Sequence, residues 1–183
     1  MQKTNLAVYN NHPYHPGGSM LKRLIWYYVN IFLFKNALFP FYAPKVFLLR
    51  AFGAKIGKQV EFKPSVNIKY PWNLTIGDEV WIGENVWLDS LVMITIGSHV
   101  CLSQGATLLT GSHNYKKHSF DLITGPIVLE DGVWIGAGAI VNQGVTAHSH
   151  AVLTSGSIAT KNLDAYSVYQ GTPAVKVRSR TIE

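Results

Sequence analysis

IGKQVEFKPSVNIKYPWNLT (56–75), IGDEVWIGENVWLDSLVMIT (76–95) and IGSHVCLSQGATLLTGSHNY (96–115) are three consecutive blocks, each opening on Ile-Gly at a spacing of twenty. Inside each block apolar residues recur every six positions: Ile56, Phe62, Ile68; Ile76, Ile82, Leu88; Ile96, Leu102, Leu108. After a break of some fifteen residues the same step returns with Leu129, Ile135, Val141, Ala147, Leu153 and Ala159. A small or β-branched residue tends to follow four places on, as Val80, Val100, Ala106, Val133 and Ala139 do. A period of six fits neither a helix nor a simple hairpin sheet. It fits a coil of short strands joined by tight turns, each hexad forming one flat side. Strand side chains alternate, so positions i and i+4 both point inward. One coil cannot bury its inner face, and stacking about five coils makes a continuous core.

The flanks are different in kind. Residues 1–19 are polar and rich in Asn, Pro and Gly, and read as an extended arm. Residues 20–53 are the most apolar part of the chain, yet the uncharged run from Leu24 to Phe34 is far too short to span a bilayer. It starts late and lacks a small-x-small cleavage site, so a signal peptide is not expected. Two short helices are expected here, broken near Pro40 and Pro44. They either cap the repeat core or lie on a membrane surface, with Lys22, Arg23, Lys35, Lys45 and Arg50 at the headgroups. The resulting division is an arm and apolar helices over 1–53, the repeat body over 54–163 with a loop at 114–128, and a basic tail over 164–183.

The chain of 183 residues suits a single domain, and 48% apolar against 14% charged residues excludes a disordered chain or a coiled coil. Its formal charge of +6 is uneven: residues 1–70 hold ten Lys/Arg and one acid, whereas 71–160 hold two against seven. The basic segment therefore faces an anionic partner or packs on the acidic body. Cys101 is the one cysteine, which offers neither a disulfide nor a metal spacing and fits a reducing compartment.

The hexads resemble those of the hexapeptide-repeat acyltransferases, over roughly residues 50–178. FGAKIG (52–57), PWNLTIGD (71–78), TGSH (110–113), VWIGAGAIVNQGV (133–145) and QGTPAVKVR (170–178) are similar to the branch that holds colanic-acid and exopolysaccharide biosynthesis acetyltransferases, close to the galactoside and maltose O-acetyltransferases. The resemblance implies an all-β fold, a triangular left-handed parallel β-helix. The handedness rests on the resemblance alone, since parallel crossovers are as a rule right-handed.

The resemblance also implies an acetyl-CoA-dependent O-acetyltransferase acting on a saccharide in surface polysaccharide assembly. The expected enzyme is a cytoplasmic homotrimer, resting on the inner membrane through residues 20–53, with no metal and no nucleic-acid partner. A sugar alcohol that keeps its proton is a poor nucleophile, so a positioned base is needed, most often histidine. His113, in its Thr-Gly-x-His context beside the break, takes that role. The backbone N–H of Ala137 stands where the family meets the oxyanion. Asn85, Asp89 and Ser90 are the acceptor-binding candidates. Trp134, Ser155, Gly156, Thr160, Lys161 and Arg178 fall on the cofactor-lining stretch. A second family arginine falls on Val175, leaving Lys176 or Arg180 to replace it. Trp81 and Trp87 read as subunit contacts, and N-acylation of an amino sugar stays open.

Three other readings have residues behind them. Cys101 as a covalent nucleophile would draw on His99, but its flanks offer nothing to lower its pKa. His148 and His150, or His113 with His118, invite a zinc site like that of the γ-class carbonic anhydrases, although no third histidine stands two coils earlier. A non-catalytic scaffold would keep the assembly and lose affinity for CoA.

Overall fold

The computed structural model describes residues 3–183 and has the three-sided coil that the hexads require. The first face stacks Lys55–Ile56, Leu74–Ile76, Ile94–Ile96, Ile127–Leu129 and Thr146–Ala147. The second stacks Glu61–Phe62, Trp81–Ile82, Cys101–Leu102, Trp134–Ile135, Val152–Leu153 and Ser167–Gly171. The third stacks Asn67–Ile68, Trp87–Asp89, Thr107–Leu109, Ile140–Val141 and Ile158–Ala159. Every pairing between successive coils is parallel, so the body is a β-solenoid. Phe62, Ile82, Leu102, Ile135 and Leu153 form one inward column on the second face, each at most 1% exposed.

The spacing between coils is not uniform. Lys55 pairs with Thr75, twenty residues on, but Val128 pairs with Thr146 and Trp134 with Val152, eighteen on. Eighteen is three bare hexads, so the early coils each carry two extra residues. These sit where the third face turns into the first, at the short 3-10 turn Pro71–Asn73 and at Leu91–Val92. One coil later the same corner is enlarged into the break, and Ile94 pairs with Ile127. The excursion there is an antiparallel hairpin of Gly111–His113 with Leu122–Thr124. It thus leaves the solenoid at Thr110, ahead of the expected loop start at 114.

The open end of the first coil is covered by two helices, α1 (Met20–Val29) and α2 (Tyr42–Ala51). Ser19 caps α1 by accepting from the Lys22 N–H, and α1 runs on as a π-helical turn over Asn30–Phe34. The cap works by satisfying edge carbonyls, which would otherwise stay unpaired on an exposed strand edge. The Trp26 Nε1–H donates to Ile68, the Lys45 ammonium to Lys63, and Arg50 to both Ile56 and Gly57. All three sides of the first coil are served, so the capping alternative for residues 20–53 is observed. The chain breaks near Pro40 as expected but not at Pro44, which lies in the first turn of α2, where a missing N–H costs no hydrogen bond.

The segment 164–183 is not a free tail. Ser167–Gly171 pairs in parallel with the fifth strand of the second face and then in antiparallel fashion with Ala174–Ser179. That hairpin closes the far end.

Candidate active site

His113 ends the outgoing strand of the excursion hairpin and is half-buried. Its ring lies flat on Phe120, with centroids 4.5 Å apart and planes 6° off parallel, and Tyr9 tilts against it at 5.8 Å. Nδ1 is 3.0 Å from the Phe120 carbonyl oxygen. A carbonyl only accepts, so Nδ1 carries the hydrogen, and Nε2 is the nitrogen that can act as a base. The hairpin therefore holds the imidazole with Nδ1 engaged, little freedom to rotate, and no partner on Nε2 among the described residues.

The corner beneath His113 is a hydrogen-bonded ladder. Ser90 Oγ accepts from the Tyr70 N–H (3.0 Å) and donates to the Tyr70 carbonyl (2.9 Å), while Thr110 Oγ1 donates to the Asp89 carbonyl (2.6 Å). Ser90 is fully buried and its hydroxyl is spent on Tyr70. It staples two coils and does not reach an acceptor, a correction to its expected role. Asp89 stays available. Its carboxylate is mostly buried, Lys69 stands 4.0 Å away, and desolvation pushes its pKa up against the smaller opposing pull of Lys69. Asn85 lies across the third face from His113, exposed in a turn at the corner of the second and third faces, with φ 59°. Asparagine tolerates that left-handed geometry better than most residues. Within one protomer, Asp89 belongs with His113 and Asn85 does not.

The expected cofactor residues fall into two groups. Ala137, Ser155 and Gly156 stack along the corner of the second and third faces, and the Gly156 N–H donates to the Ala137 carbonyl. The Ala137 N–H donates to nothing among the described residues, as an oxyanion donor requires. A Cβ on Gly136 would stand 2.5 Å from the Ser155 nitrogen, so glycine is what lets these coils approach. Trp134 projects from the second face, 45% exposed, its Nε1–H donating to Ser103 Oγ. Together with Arg178 and Thr154 it lines a hollow of about 520 Å³. Thr160 and Lys161 are exposed at the corner that carries His113. Lys176 and Arg180, the two stand-ins for the displaced arginine, are both engaged. Lys176 pairs with Asp164, and Arg180 donates to the Gly132 and His150 carbonyls.

The remaining polar residues have ordinary partners. Burial raises the Cys101 thiol pKa, which disfavours a thiolate. His99 pairs with Glu79, His148 with Glu130, and His150 stacks on Tyr166 at 4.7 Å. No group of three or more His, Cys, Asp or Glu among the described residues is placed to hold a metal ion. Tyr9, Tyr14 and Phe120 were not anticipated from the sequence; an aromatic residue isolated in a polar arm or loop is the signal that marks each.

No protein-family model matches the chain. It is 42% identical over 164 residues to the Escherichia coli (strain K12) protein provisionally named colanic acid biosynthesis acetyltransferase WcaF, covering 90% of each chain. The chain belongs to the hexapeptide-repeat acetyltransferases. A crystal structure of a hexapeptide-repeat acetyltransferase from Vibrio cholerae superposes with a TM-score of 0.79 at 27% identity, over 88% of this chain and 92% of that one. A second, of the V. cholerae enzyme complexed with acetyl-coenzyme A, gives a TM-score of 0.71 at 30% identity, over 76% and 78%. The expected family and β-solenoid architecture are thus both observed.

Proposed function

We propose that this acetyltransferase moves an acetyl group from acetyl-CoA to a saccharide hydroxyl in polysaccharide assembly, by direct transfer with His113 as general base. The observation that carries the base assignment is the Nδ1 contact to Phe120, which leaves Nε2 free and aimed by a stacked ring. Nε2 takes the hydroxyl proton as the acceptor oxygen bonds to the thioester carbonyl carbon. The Ala137 N–H meets the oxyanion, the C–S bond breaks, and the imidazolium returns its proton to the departing thiolate. The colanic acid biosynthesis role in WcaF's name and the acetyl-CoA complex of the V. cholerae relative support the substrates.

One protomer holds this site in halves. The outer row of the first face is mainly polar: Lys55, Thr75, Thr95, Val128, Thr146. The second and third faces instead carry Trp81 and Trp134, and Trp87, Ile140 and Ile158, among Glu61, Cys101, Asn67 and Thr107. A three-fold assembly with their shared corner at the axis covers both faces. It sets His113, Asp89, Thr160 and Lys161 of one copy across a cleft from Trp134 and Arg178 of the next. Asn85 near the axis then joins the same cleft. The apolar belt of the helical cap, with Leu21, Leu24, Leu38, Phe41 and Phe47 each at least 50% exposed, rests on the anionic cytoplasmic surface of the membrane.

His113→Ala is expected to lower kcat by about two to four orders of magnitude while CoA binding and assembly persist. Retention of kcat would remove the base assignment.

A further inference from the structure

A hollow of about 350 Å³ lies between α1 and the third face of the first two coils. Arg23 from α1, Lys35 from the end of the π turn and Lys69 from the first coil converge on it, among the rings of Tyr27, Tyr70 and Trp87. No carboxylate lines it. Arg23 and Lys35 form no ion pair among the described residues, and Lys69 has Asp89 at 4.0 Å. Three like charges around one concavity repel each other until an anion enters. The aromatic walls suit the apolar face of a sugar ring, and an arginine fork suits paired oxygens.

A second observation connects this hollow to His113. The Tyr14 hydroxyl is buried and has no hydrogen-bond partner among the described residues. Tyr70, Asp89, Arg23 and Tyr9 act on it electrostatically, and Tyr9 packs on His113. A buried hydroxyl without a partner is uncommon in a native fold. The arm is docked by the Asn5 N–H on the His118 carbonyl and by the Trp72 Nε1–H on the Pro16 carbonyl. Tyr70, Asp89 and Thr110 mark three successive rungs of the ladder. At about 4.8 Å per coil, Tyr70 and Thr110 are roughly 10 Å apart, and His113 follows three residues after Thr110.

We propose that the acceptor is an anionic saccharide whose phosphate or carboxylate group occupies the Arg23–Lys35–Lys69 hollow while its reacting hydroxyl lies at His113. This rests on the transferase reading above and adds the charge class of its acceptor. Calorimetric titration of the CoA-bound protein with glucose and galactose 1-phosphates, the corresponding uronates and the neutral methyl glycosides tests it, alongside acetyl transfer to each. At least one charged form should bind tenfold or more tighter than its neutral counterpart, with the advantage shrinking as salt rises. The comparison of phosphate with uronate identifies the anion. Arg23→Gln combined with Lys35→Gln should abolish the advantage and leave the KM for acetyl-CoA and the melting temperature unchanged. Equal binding of charged and neutral sugars, or an advantage that survives in the double variant, overturns the proposal. Charge-dependent binding without acetyl transfer to any sugar would instead count against the transferase reading.

Discussion

At His113 the decisive contact is made by a residue seven positions away, Phe120, which both stacks on the ring and fixes its tautomer. TGSH marks the histidine in the sequence, whereas Phe120 is marked only as an aromatic residue isolated in a polar loop, and its pairing with His113 forms only once the hairpin closes. Ser90 illustrates the converse. Its neighbourhood made it a candidate acceptor ligand, and the buried staple to Tyr70 could be seen only when two coils were stacked. Asp89 has a testable electrostatic signature. Burial raises its folded-state pKa above the ordinary 3.8, so the folded protein holds that proton more tightly than the unfolded chain does. Its contribution to stability is therefore full below that ordinary value and is lost as pH rises through the raised one. Asp89→Asn should match the parent's melting temperature at pH 3 and equal or exceed it at pH 7. A variant that falls progressively behind as pH rises would reverse the assigned sign.

Among the elements, the solenoid strands were legible because inward anchors of similar size repeat at a fixed step, and the step survives the break. Two features were not. The twenty-residue blocks conceal an eighteen-residue coil, since the two extra residues sit at one corner and each block still opens on Ile-Gly. AVKVRS (174–179) reads as part of a basic tail from its charges, and as a strand exposed along nearly its whole length it has no buried face to set an apolar alternation. Packing inside the coils is tight enough to give a clear mutational result. Ile82 is fully buried between Phe62 and Leu102 in its column. Ile82→Ala should cost about 2–5 kcal/mol, measured by chemical denaturation. A cost below about 1 kcal/mol would mean the column relaxes freely around the gap.

Across the whole molecule, charge and apolar surface are segregated. The basic residues of the first third cluster around the helical cap, and the cap turns its large apolar side chains outward after pairing its polar ones with the first coil. No helix among the described residues is long and apolar enough to cross a membrane. Contact at the surface should appear as co-sedimentation with vesicles containing anionic lipid, weakening with salt and with Leu24→Glu plus Phe47→Glu. Equal recovery with and without vesicles at low salt would end that assignment. The sharing of one active site between copies is tested most directly by mixing two inactive variants, His113→Ala and Trp134→Asp, under conditions that exchange subunits. Each mixed trimer should regain one cleft with both residues intact, so activity should return to a substantial fraction of the parent's. If mixtures stay as inactive as the separate variants although exchange is verified, His113 and Trp134 do not meet across a subunit boundary.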